Sequence, residues 1–368
     1  MVVALTPAKS TAAAKAPAAT HTAAPGLGFT QVARSDYVEP ILGGSATLGA
    51  TTTLLATGEP IPAFGYMRHV VILVQATGGT GVAAVYQPDG PFSALAEVVL
   101  TDSNGQPIDG PYTGYDLYLI NLFGGYAFQG DPKLLASYVT PTTAGNYAFA
   151  LRIPVEITER DALGALANQN GTSAYKLRVV LADAASVYST PPTVPPVVTV
   201  SAFLEAWTQP DDGSEPPYLG TTQVWSKENH NNNAGQQKWQ LSRVGNALRT
   251  LILVSRDTTG VRSASLFPLS YRFRWDSRDL QNSISLRFKD QMCERYGYLP
   301  AQIPAGVLAI DFTHDFDGHP GGELRDQWLR TTSGSRIEVD GVFQGAGSTD
   351  VLVNDVLAFA GGVPGAVG

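Results

Sequence analysis

The sequence is almost without cysteine, since Cys293 is the only one among 368 residues. A single thiol excludes an intrachain disulfide, so packing alone has to hold the fold together. Cys293 lies in a helix-like stretch that offers no nearby base to activate a catalytic thiol. We therefore interpret it as a small buried apolar side chain.

Charged residues are also scarce. They make up 15% of the chain, against about 25% in ordinary globular proteins. The net charge is −8 and Lys and Arg form no cluster, which argues against a protein that grips nucleic acid through its phosphates or reads its sequence. Hydrophobic residues reach 44%, enough for a large core. We expect a chain of this balance to cover much of its surface with other protein.

Long apolar runs are missing as well. No stretch reaches the roughly eighteen residues of a membrane-spanning helix, and Met1–Leu5 is too short for the apolar part of a secretory signal. Residues 1–28 contain no Asp, Glu, Trp or Phe, so they cannot bury enough apolar area to offset the entropy of ordering. We predict a mildly basic arm that is flexible on its own. Ordering against a neighbour, contact with lipid headgroups or nucleic acid, and a plain solvated tail are the alternatives.

The chain does contain an internal repeat whose parts recur in the same order. Three pairs of segments recur in the same order: Thr30–Asp36 with Thr222–Glu228, Arg68 and the run Val70–Val74 with Arg249 and Leu251–Val254, and Arg160-Asp161 with Arg325-Asp326. Each match is weak, but an echo that keeps its order over more than a hundred residues indicates two copies of one fold.

Most of the chain after residue 28 alternates short β-type runs with turn residues. Gly (38) and Pro (25) supply many turns, which short strands require. The predicted strands are Val70–Val74, Glu97–Leu100, Tyr115–Ile120, Tyr147–Ile157, Lys176–Leu181 and Val197–Trp207, and then Leu251–Val254, Tyr271–Trp275, Ser283–Phe288, Val307–Phe312, Arg336–Phe343 and Val351–Phe359.

Four short stretches have the pattern of helices: Asp131–Tyr138, Arg160–Asn168, Phe288–Tyr296 and Arg325–Arg330. Each half thus shows about eight strands with two small helices between them. Eight strands in two facing sheets make a jelly roll. The predicted fold class is all-β, with two tandem eight-stranded jelly rolls and short helices in the loops.

The repeat also predicts the domain limits. The proline-rich stretch Ser189–Pro196 resembles a linker, but Val197–Trp207 matches the last strand of the second half, Val351–Phe359. We therefore place the junction in Gln209–Tyr218. The predicted parts are an arm (1–28), a first jelly roll (29–212), a second jelly roll (213–360) and a tail (361–368).

Three groups of residues could carry chemistry, and each has a simpler explanation. His314, Asp315, Asp317 and His319 could bind a metal, but the other half has no His here, which favours a polar loop. Asp102–Gly105 resembles the start of a calcium loop but lacks the distal Glu, which favours a tight hairpin.

Glu156, Glu159 and Asp161 could form a carboxylate set for glycoside chemistry; we predict instead that the last two open a helix, where acids favour the dipole. Asn170–Thr172 is a glycosylation sequon with no other sign of a secretory route, and His230–Gly235 is predicted to be a polar loop. We predict no catalytic, cofactor-binding or metal-binding residues and no enzymatic activity.

At this point the sequence resembles a known family. The Arg68-led strand, the stretch Pro91–Val98 with Leu100, Asp102, Asn104 and Gly105, the segment Pro111–Tyr115, and the strand Val198–Trp207 before Gln209-Pro210 carry the resemblance. They resemble the double jelly-roll major capsid proteins of tailless, membrane-containing icosahedral viruses, especially tectivirus-like bacteriophages. The resemblance covers about residues 29 to 360 and rests on pattern and order.

This resemblance implies a major capsid protein whose homotrimers, with six jelly rolls and a pseudo-hexagonal outline, tile an icosahedral shell over an internal membrane. It implies contact of the arm with that membrane or with adjacent capsomers, and penton and minor capsid proteins as further partners. The expected location is the virion, assembled in the host cytoplasm. The alternatives are a secreted carbohydrate-active or glycan-binding protein on two jelly rolls, and a spike or minor vertex protein.

Overall fold

The computed structural model describes residues 29–34, 37–81, 83–124, 144–210, 222–313 and 328–356. Its helices are α1 (Phe29–Val32), α2 (Gly114–Phe123), α3 (Ala184–Val187) and α4 (Ser285–Tyr296), with a 3-10 turn at Phe92–Ala94.

Strands β1 to β11 come from the first half of the chain: Tyr37–Thr47, Thr53–Pro60, Tyr66–Thr77, Val85–Tyr86, Leu95–Thr101, Pro107–Tyr112, Tyr147–Pro154, Leu166–Ala167, Lys176–Leu181, Tyr188–Thr190 and Val197–Trp207. Strands β12 to β20 come from the second half: Gln223–Asn232, Gly235–Gln240, Ala247–Arg256, Ser270–Trp275, Arg278–Ile284, Val307–Asp311, Leu329–Arg330, Ile337–Phe343 and Gly347–Val356.

The two halves repeat one strand order. In the first half, sheet 1A has the order β1-β11-β3-β7 and sheet 1B the order β2-β9-β5-β6. In the second half, sheet 2A is β12-β20-β14-β17 and sheet 2B is β13-β19-β15-β16. All of these pairings are antiparallel. The predicted double jelly roll is therefore confirmed, and we call the two units roll 1 and roll 2.

Alternation of side chains explains why these segments form sandwiches. Along β11, Val198, Val200, Ala202 and Leu204 are fully buried, while the residues between them are partly or fully exposed. Each fully buried Val or Leu contributes on the order of 1.5–3 kcal/mol, so this pattern fixes which face of β11 lines the core. Since β11 pairs with β1 and β3, the proline-rich stretch before it lies inside roll 1.

Helices α2 and α4 occupy the same connection in their rolls, between the fourth strand of the B sheet and the edge strand of the A sheet. The α4 prediction is confirmed, although the helix begins at Ser285 and displaces most of the strand predicted at Ser283–Phe288. The strand predicted at Tyr115–Ile120 is wrong. These residues lie in α2, which a capping box between Thr113 and Asp116 starts, and every residue of the helix is buried.

The helix predicted at Arg160–Asn168 is also wrong. The chain turns there through Ala162 (φ 55°) and Gly164 (φ 86°). Only Gly fits at position 164, since a Cβ there would lie 2.8 Å from the Ile157 side chain. Of the stretch predicted at Arg325–Arg330, Leu329–Arg330 forms β18. The helix predicted at Asp131–Tyr138, the arm and most of Gln209–Tyr218 lie outside the described residues.

Of the three repeat matches, one is confirmed in detail and one is wrong, and in the third Arg325 and Asp326 lie outside the described residues. Thr222–Glu228 runs into β12, whereas Thr30–Asp36 precedes the equivalent strand β1 and begins in α1. Arg68 and Arg249, by contrast, lie on equivalent strands, β3 and β14. Each falls at a β-bulge, because the register skips Arg68 between β3 and β11 and skips Arg249 between β14 and β20.

Candidate assembly interfaces

The two bulge arginines, Arg68 and Arg249, lie where the two rolls meet. A bulge leaves one residue unpaired in the ladder and redirects its side chain. Arg68 stacks 4.5 Å from the centre of the Trp207 ring, and Arg249 lies 5.6 Å from that of Trp328. Each arginine carbonyl accepts a hydrogen bond from the chain that leaves the neighbouring edge strand, from Glu156 N at 2.7 Å and from Phe312 N at 2.9 Å.

In roll 1, the redirected arginine makes a buried ion pair. Arg68 Nε lies 2.8 Å from Glu156 Oε2, and Trp207 Nε1 donates to Glu156 Oε1 at 2.6 Å. Burial raises the pKa of Glu156 to about 7, although Arg68 and Trp207 both lower it. A charge-assisted pair of this kind fixes the positions of the groups that hold it.

In roll 2, the equivalent arginine has amide partners. Arg249 donates to Gln223 Oε1 at 3.0 Å and to Asn354 Oδ1 at 2.8 Å. The amide nitrogen of Gln223 donates at 3.0 Å to the main-chain carbonyl of Glu156 in roll 1. The two networks are thereby joined, and the rolls are locked together near the bulges.

A second set of contacts joins α2 of roll 1 to the outer face of sheet 2A. Lys227 on β12 lies 3.0 Å from Asp116 on α2 and 3.3 Å from Asp350 on β20. The Asp116 side chain is only 1% exposed, so Lys227 neutralises a carboxylate that would otherwise be costly to bury.

Arginines of roll 2 extend this joint. Arg256 and Arg262 bind opposite oxygens of Asp89 in roll 1, at 2.7 and 2.8 Å. The hydroxyls of Tyr296 and Tyr298 donate to the carbonyls of Phe123 and Leu122, at 3.1 and 3.0 Å, at the end of α2. Strand β6 also packs against β12. We call the whole contact of α2, β6 and Asp89 in roll 1 with sheet 2A, Arg262, Tyr296 and Tyr298 in roll 2 the intrachain joint.

The joint makes the two A sheets unequal. Outward-facing residues of sheet 2A are sealed by roll 1, with Trp225 at 1% and Val254 at 0% exposure. The equivalent positions in sheet 1A, by register from the bulges, are Val38 and Leu73. They are 54% and 39% exposed. Within the described residues, the outer face of sheet 1A is therefore more exposed than the equivalent face of sheet 2A, which roll 1 covers.

The predicted chemical residues have local roles where they are described. Glu159 lies 2.7 Å from Arg68, so it shares that cation with Glu156, and Asp161 accepts a hydrogen bond from Thr158 at 2.6 Å in the turn that replaces the predicted helix. Asp102 accepts from the main-chain nitrogens of Asn104 and Gln106 at 2.9 and 2.8 Å, so the predicted hairpin is confirmed.

The remaining candidates divide between described and undescribed parts. Asn170 lies in an exposed turn and accepts from Thr172, and Cys293 is half-buried on α4. His230–Asn232 end β12 in sheet 2A and Gly235 begins β13 in sheet 2B, so of the predicted polar loop only Asn233 and Ala234 connect the two strands. His230 stacks 5.1 Å from Trp239. The metal-site candidates His314, Asp315, Asp317 and His319 lie outside the described residues. Within the described ranges, no group of His, Cys, Asp and Glu has a metal-binding arrangement.

The residues of the joint were missed at the sequence level. Asp116 and Lys227 are 111 residues apart, and no local pattern links them. The Thr113–Asp116 capping box is a readable helix signal, and it could have revealed α2. In the part of the chain that the structure describes, no helix has both the length and the apolar character needed to cross a bilayer.

Comparisons by sequence find nothing: no protein-family model matches the chain, and no curated protein is significantly similar to it. Solved structures do match. The crystal structure of the STIV MCP, from Sulfolobus Turreted Icosahedral Virus, aligns with a TM-score of 0.61 at 14% identity, over 87% of this chain and 96% of that one.

Two further structures agree. The major capsid protein P2 from bacteriophage PM2 aligns with a TM-score of 0.53 at 13% identity, over 88% of this chain and 100% of that one. The PBCV-1 virus capsid aligns at 0.57 and 11% identity, over 87% and 92%. The resemblance found in the sequence is thus confirmed at the level of the fold: this chain is a double jelly roll similar to those of viral capsid proteins.

Proposed function

We propose that this chain is a major capsid protein of a tailless icosahedral bacteriophage, located in the virion and assembled in the host cytoplasm. The observation that carries the proposal is the duplicated fold, which aligns over 96% and 100% of two capsid-protein chains. Jelly rolls host many functions, but a whole chain made of two rolls with one strand order is suited to building a shell.

We propose further that the chain forms homotrimers with six rolls and a pseudo-hexagonal outline, which tile a shell over an internal membrane. The buried ion pairs and hydrogen bonds of the intrachain joint support this, because they make the two rolls one rigid tile. The open face of sheet 1A and the low charge content of 15% support burial of further surface between copies.

The proposed role is structural, without enzymatic activity or cofactor. Glu156 and Asp161, which the sequence singles out as acids for glycoside chemistry, are held by Arg68, Trp207 and Thr158. The structures described above are capsid proteins, and none favours the glycan-binding alternative. We retain 29–212 and 213–360 as the proposed limits of the two rolls.

The arm 1–28 is proposed to contact the internal membrane or an adjacent capsomer. The first described residues support a fixed exit point: the Phe29 ring packs 5.3 Å from Tyr66 and 6.0 Å from Trp207. Arg34 and Thr208 exchange hydrogen bonds at 2.8 and 3.0 Å. The arm therefore leaves roll 1 at the end where the bulges lie. Penton and minor capsid proteins are further proposed partners, and sequence-specific nucleic acid is not.

Light scattering after size-exclusion chromatography tests this function. We expect a particle of three times the chain mass of 38.9 kDa, and hexagonal outlines in negative-stain images. A stable monomer that is retained on a glycan array would contradict the proposal and support the alternative.

A further inference from the structure

The duplication can be followed residue by residue outside the A sheets. In roll 1, the main-chain nitrogen of Arg152 on edge strand β7 donates to Asn121 on α2 at 2.9 Å. In roll 2, the main-chain nitrogen of Ala309 on edge strand β17 donates to Met292 on α4 at 3.4 Å. Arg152 and Ala309 are equivalent by register from the bulges, so Asn121 and Met292 align the two helices.

This alignment identifies what roll 2 would present to a neighbour. Counting back from Met292, Leu286 occupies the position of Tyr115 and Arg287 that of Asp116, the two residues with which α2 contacts Arg262 and Lys227. Tyr115 is 3% exposed, whereas Leu286 is 74% exposed. This position of the helix is thus buried in roll 1 and exposed in roll 2.

A cavity completes this uncovered face. Beside α4, a cavity of about 360 Å³ opens between β16 and β17. Phe288 and Met292 line it together with the polar side chains of Gln281, Glu294, Arg295 and Asp311. Gln281 is the counterpart of Asp109 by sheet register, and Asp109 accepts a hydrogen bond from the main chain of Trp225 in the intrachain joint. The surface of roll 1 at Asp109 is thus covered by β12, whereas the equivalent surface of roll 2 at Gln281 opens to this cavity.

We propose that a second copy of this chain fills it: β1 and the outer face of sheet 1A in one copy dock against α4 and its cavity in the next. This rests on the proposed function and names the surface through which it is carried out. The exposed Val38 would take the place of the buried Trp225, and the exposed Leu73 that of the buried Val254.

The occupant is a second copy because the two exposed faces are equivalent to two faces that already bind each other. The outer face of sheet 1A is equivalent to that of sheet 2A, and α4 is equivalent to α2. Within one chain, the outer face of sheet 2A is buried against α2. A contact between unlike faces propagates from copy to copy and ends only when a ring closes. Three copies with two rolls each close a ring of six.

Charge prevents the two joints from being confused. Arg287 replaces Asp116, so α4 brought against Lys227 would offer it an arginine, itself paired with Asp290 and Glu294, in place of a carboxylate. In sheet 1A, the position of Lys227 is held by Pro40, by register, and this mismatch is absent. Like charges in a closed contact discriminate against the wrong pairing, so roll 2 of one copy is directed to roll 1 of another.

Two substitutions on unlike faces test the proposal. Val38→Asp places a charge on the sheet face, and Leu286→Asp places one on the helix face. Both side chains are more than half exposed, so each variant should retain the wild-type circular dichroism. Leu54→Asp is the matched control: Leu54 is 49% exposed on β2, in sheet 1B. We expect each face variant to lose the trimer and elute with the mass of one chain, and the control to stay trimeric.

Mixing the variants gives the decisive result. Val38→Asp keeps an intact helix face and Leu286→Asp an intact sheet face, so an equimolar mixture should yield a dimer of twice the chain mass and nothing larger. Recovery of this dimer also shows that both variants are folded. Face variants that remain trimeric, or a mixture that stays monomeric, would overturn this assignment. A wild-type chain that is itself monomeric would instead overturn the proposed trimer.

Discussion

The intrachain joint contains a carboxyl group that should make its stability depend on pH. Asp109 is 3% exposed on β6, against β12 of roll 2. Burial raises its pKa from 3.8 to about 7, while the Tyr112 hydroxyl and the main-chain nitrogens of Trp225 and Gly110 lower it less. Among the described residues, no Lys, Arg or His forms an ion pair with Asp109.

The sign of the effect follows from the direction of this shift. A carboxyl whose folded pKa exceeds its unfolded pKa binds its proton more tightly when folded. Its contribution to stability is complete below about pH 4 and is lost as the pH rises to about 7. A shift from 3.8 to about 7 at about 1.4 kcal/mol per unit gives about 4 kcal/mol over the whole range, and about 2 kcal/mol between about pH 5.5 and 8.5.

Urea unfolding at these two pH values, at one protein concentration, measures the effect. In Asp109→Asn the group cannot ionise, so the difference in unfolding free energy between the two pH values should fall by about 2 kcal/mol relative to wild type. The matched change Asp102→Asn, at the solvent-exposed turn of the same hairpin, should leave the difference as it is. Equal pH dependence in wild type and Asp109→Asn would refute the assignment of a buried, proton-binding carboxyl to this joint.

Two other substitutions test the joint and the exit of the arm. Lys227→Met leaves Asp116 buried without its cation and should lower the free energy of unfolding by about 3 kcal/mol. The control Lys238→Met removes a lysine whose side chain is 44% exposed, and should lower it by less than about 1 kcal/mol. Equal losses for the two variants in denaturant titrations would contradict this. Phe29→Ala removes the anchor of α1, so trypsin should cleave after Arg34 several-fold faster while the melting temperature of the rolls stays within about 2 °C; unchanged cleavage would show that the ring holds nothing.

Strands β3, β5, β7, β9 and β11 and their counterparts β14, β15, β17, β19 and β20 were predictable because the sandwich imposes a two-residue period, whereas β1, β2, β12 and β13 were not among the predicted strands. Lys176–Leu181 and Val197–Trp207 have the same bounds in the structure as in the prediction, since each alternates buried and exposed residues and ends at turn residues. The double jelly roll followed from this strand count and from the order of the repeat. The predicted match of Arg68 with Arg249 is confirmed, but no sequence pattern predicts the β-bulge that redirects both side chains.

Helix α2 was missed for a physical reason. It is buried on all sides, against its own roll and against sheet 2A, so its sequence is apolar except for Asp116 and Asn121 and lacks the 3.6-residue period of a surface helix. A short apolar run of this kind is equally compatible with a buried strand. Helix α4 is open on one side, has the period, and was predicted. The joint itself required the fold, because its partners Asp116 and Lys227 meet only when the two rolls do.

The difference between α2 and α4 follows from when each contact forms. Helix α2 is covered as the chain folds, so it never has to be soluble with its outer face exposed, and Tyr115 and Leu119 are buried. If α4 meets its partner only when copies assemble, its outer face is exposed to water in the unassembled chain and has to leave that chain soluble. Polar and charged residues serve this purpose, and Arg287 and Asp290 lie on α4 with side chains 50% and 57% exposed. Two helices at equivalent positions of a duplicated fold have thus diverged in the direction that one permanent and one assembling contact would require.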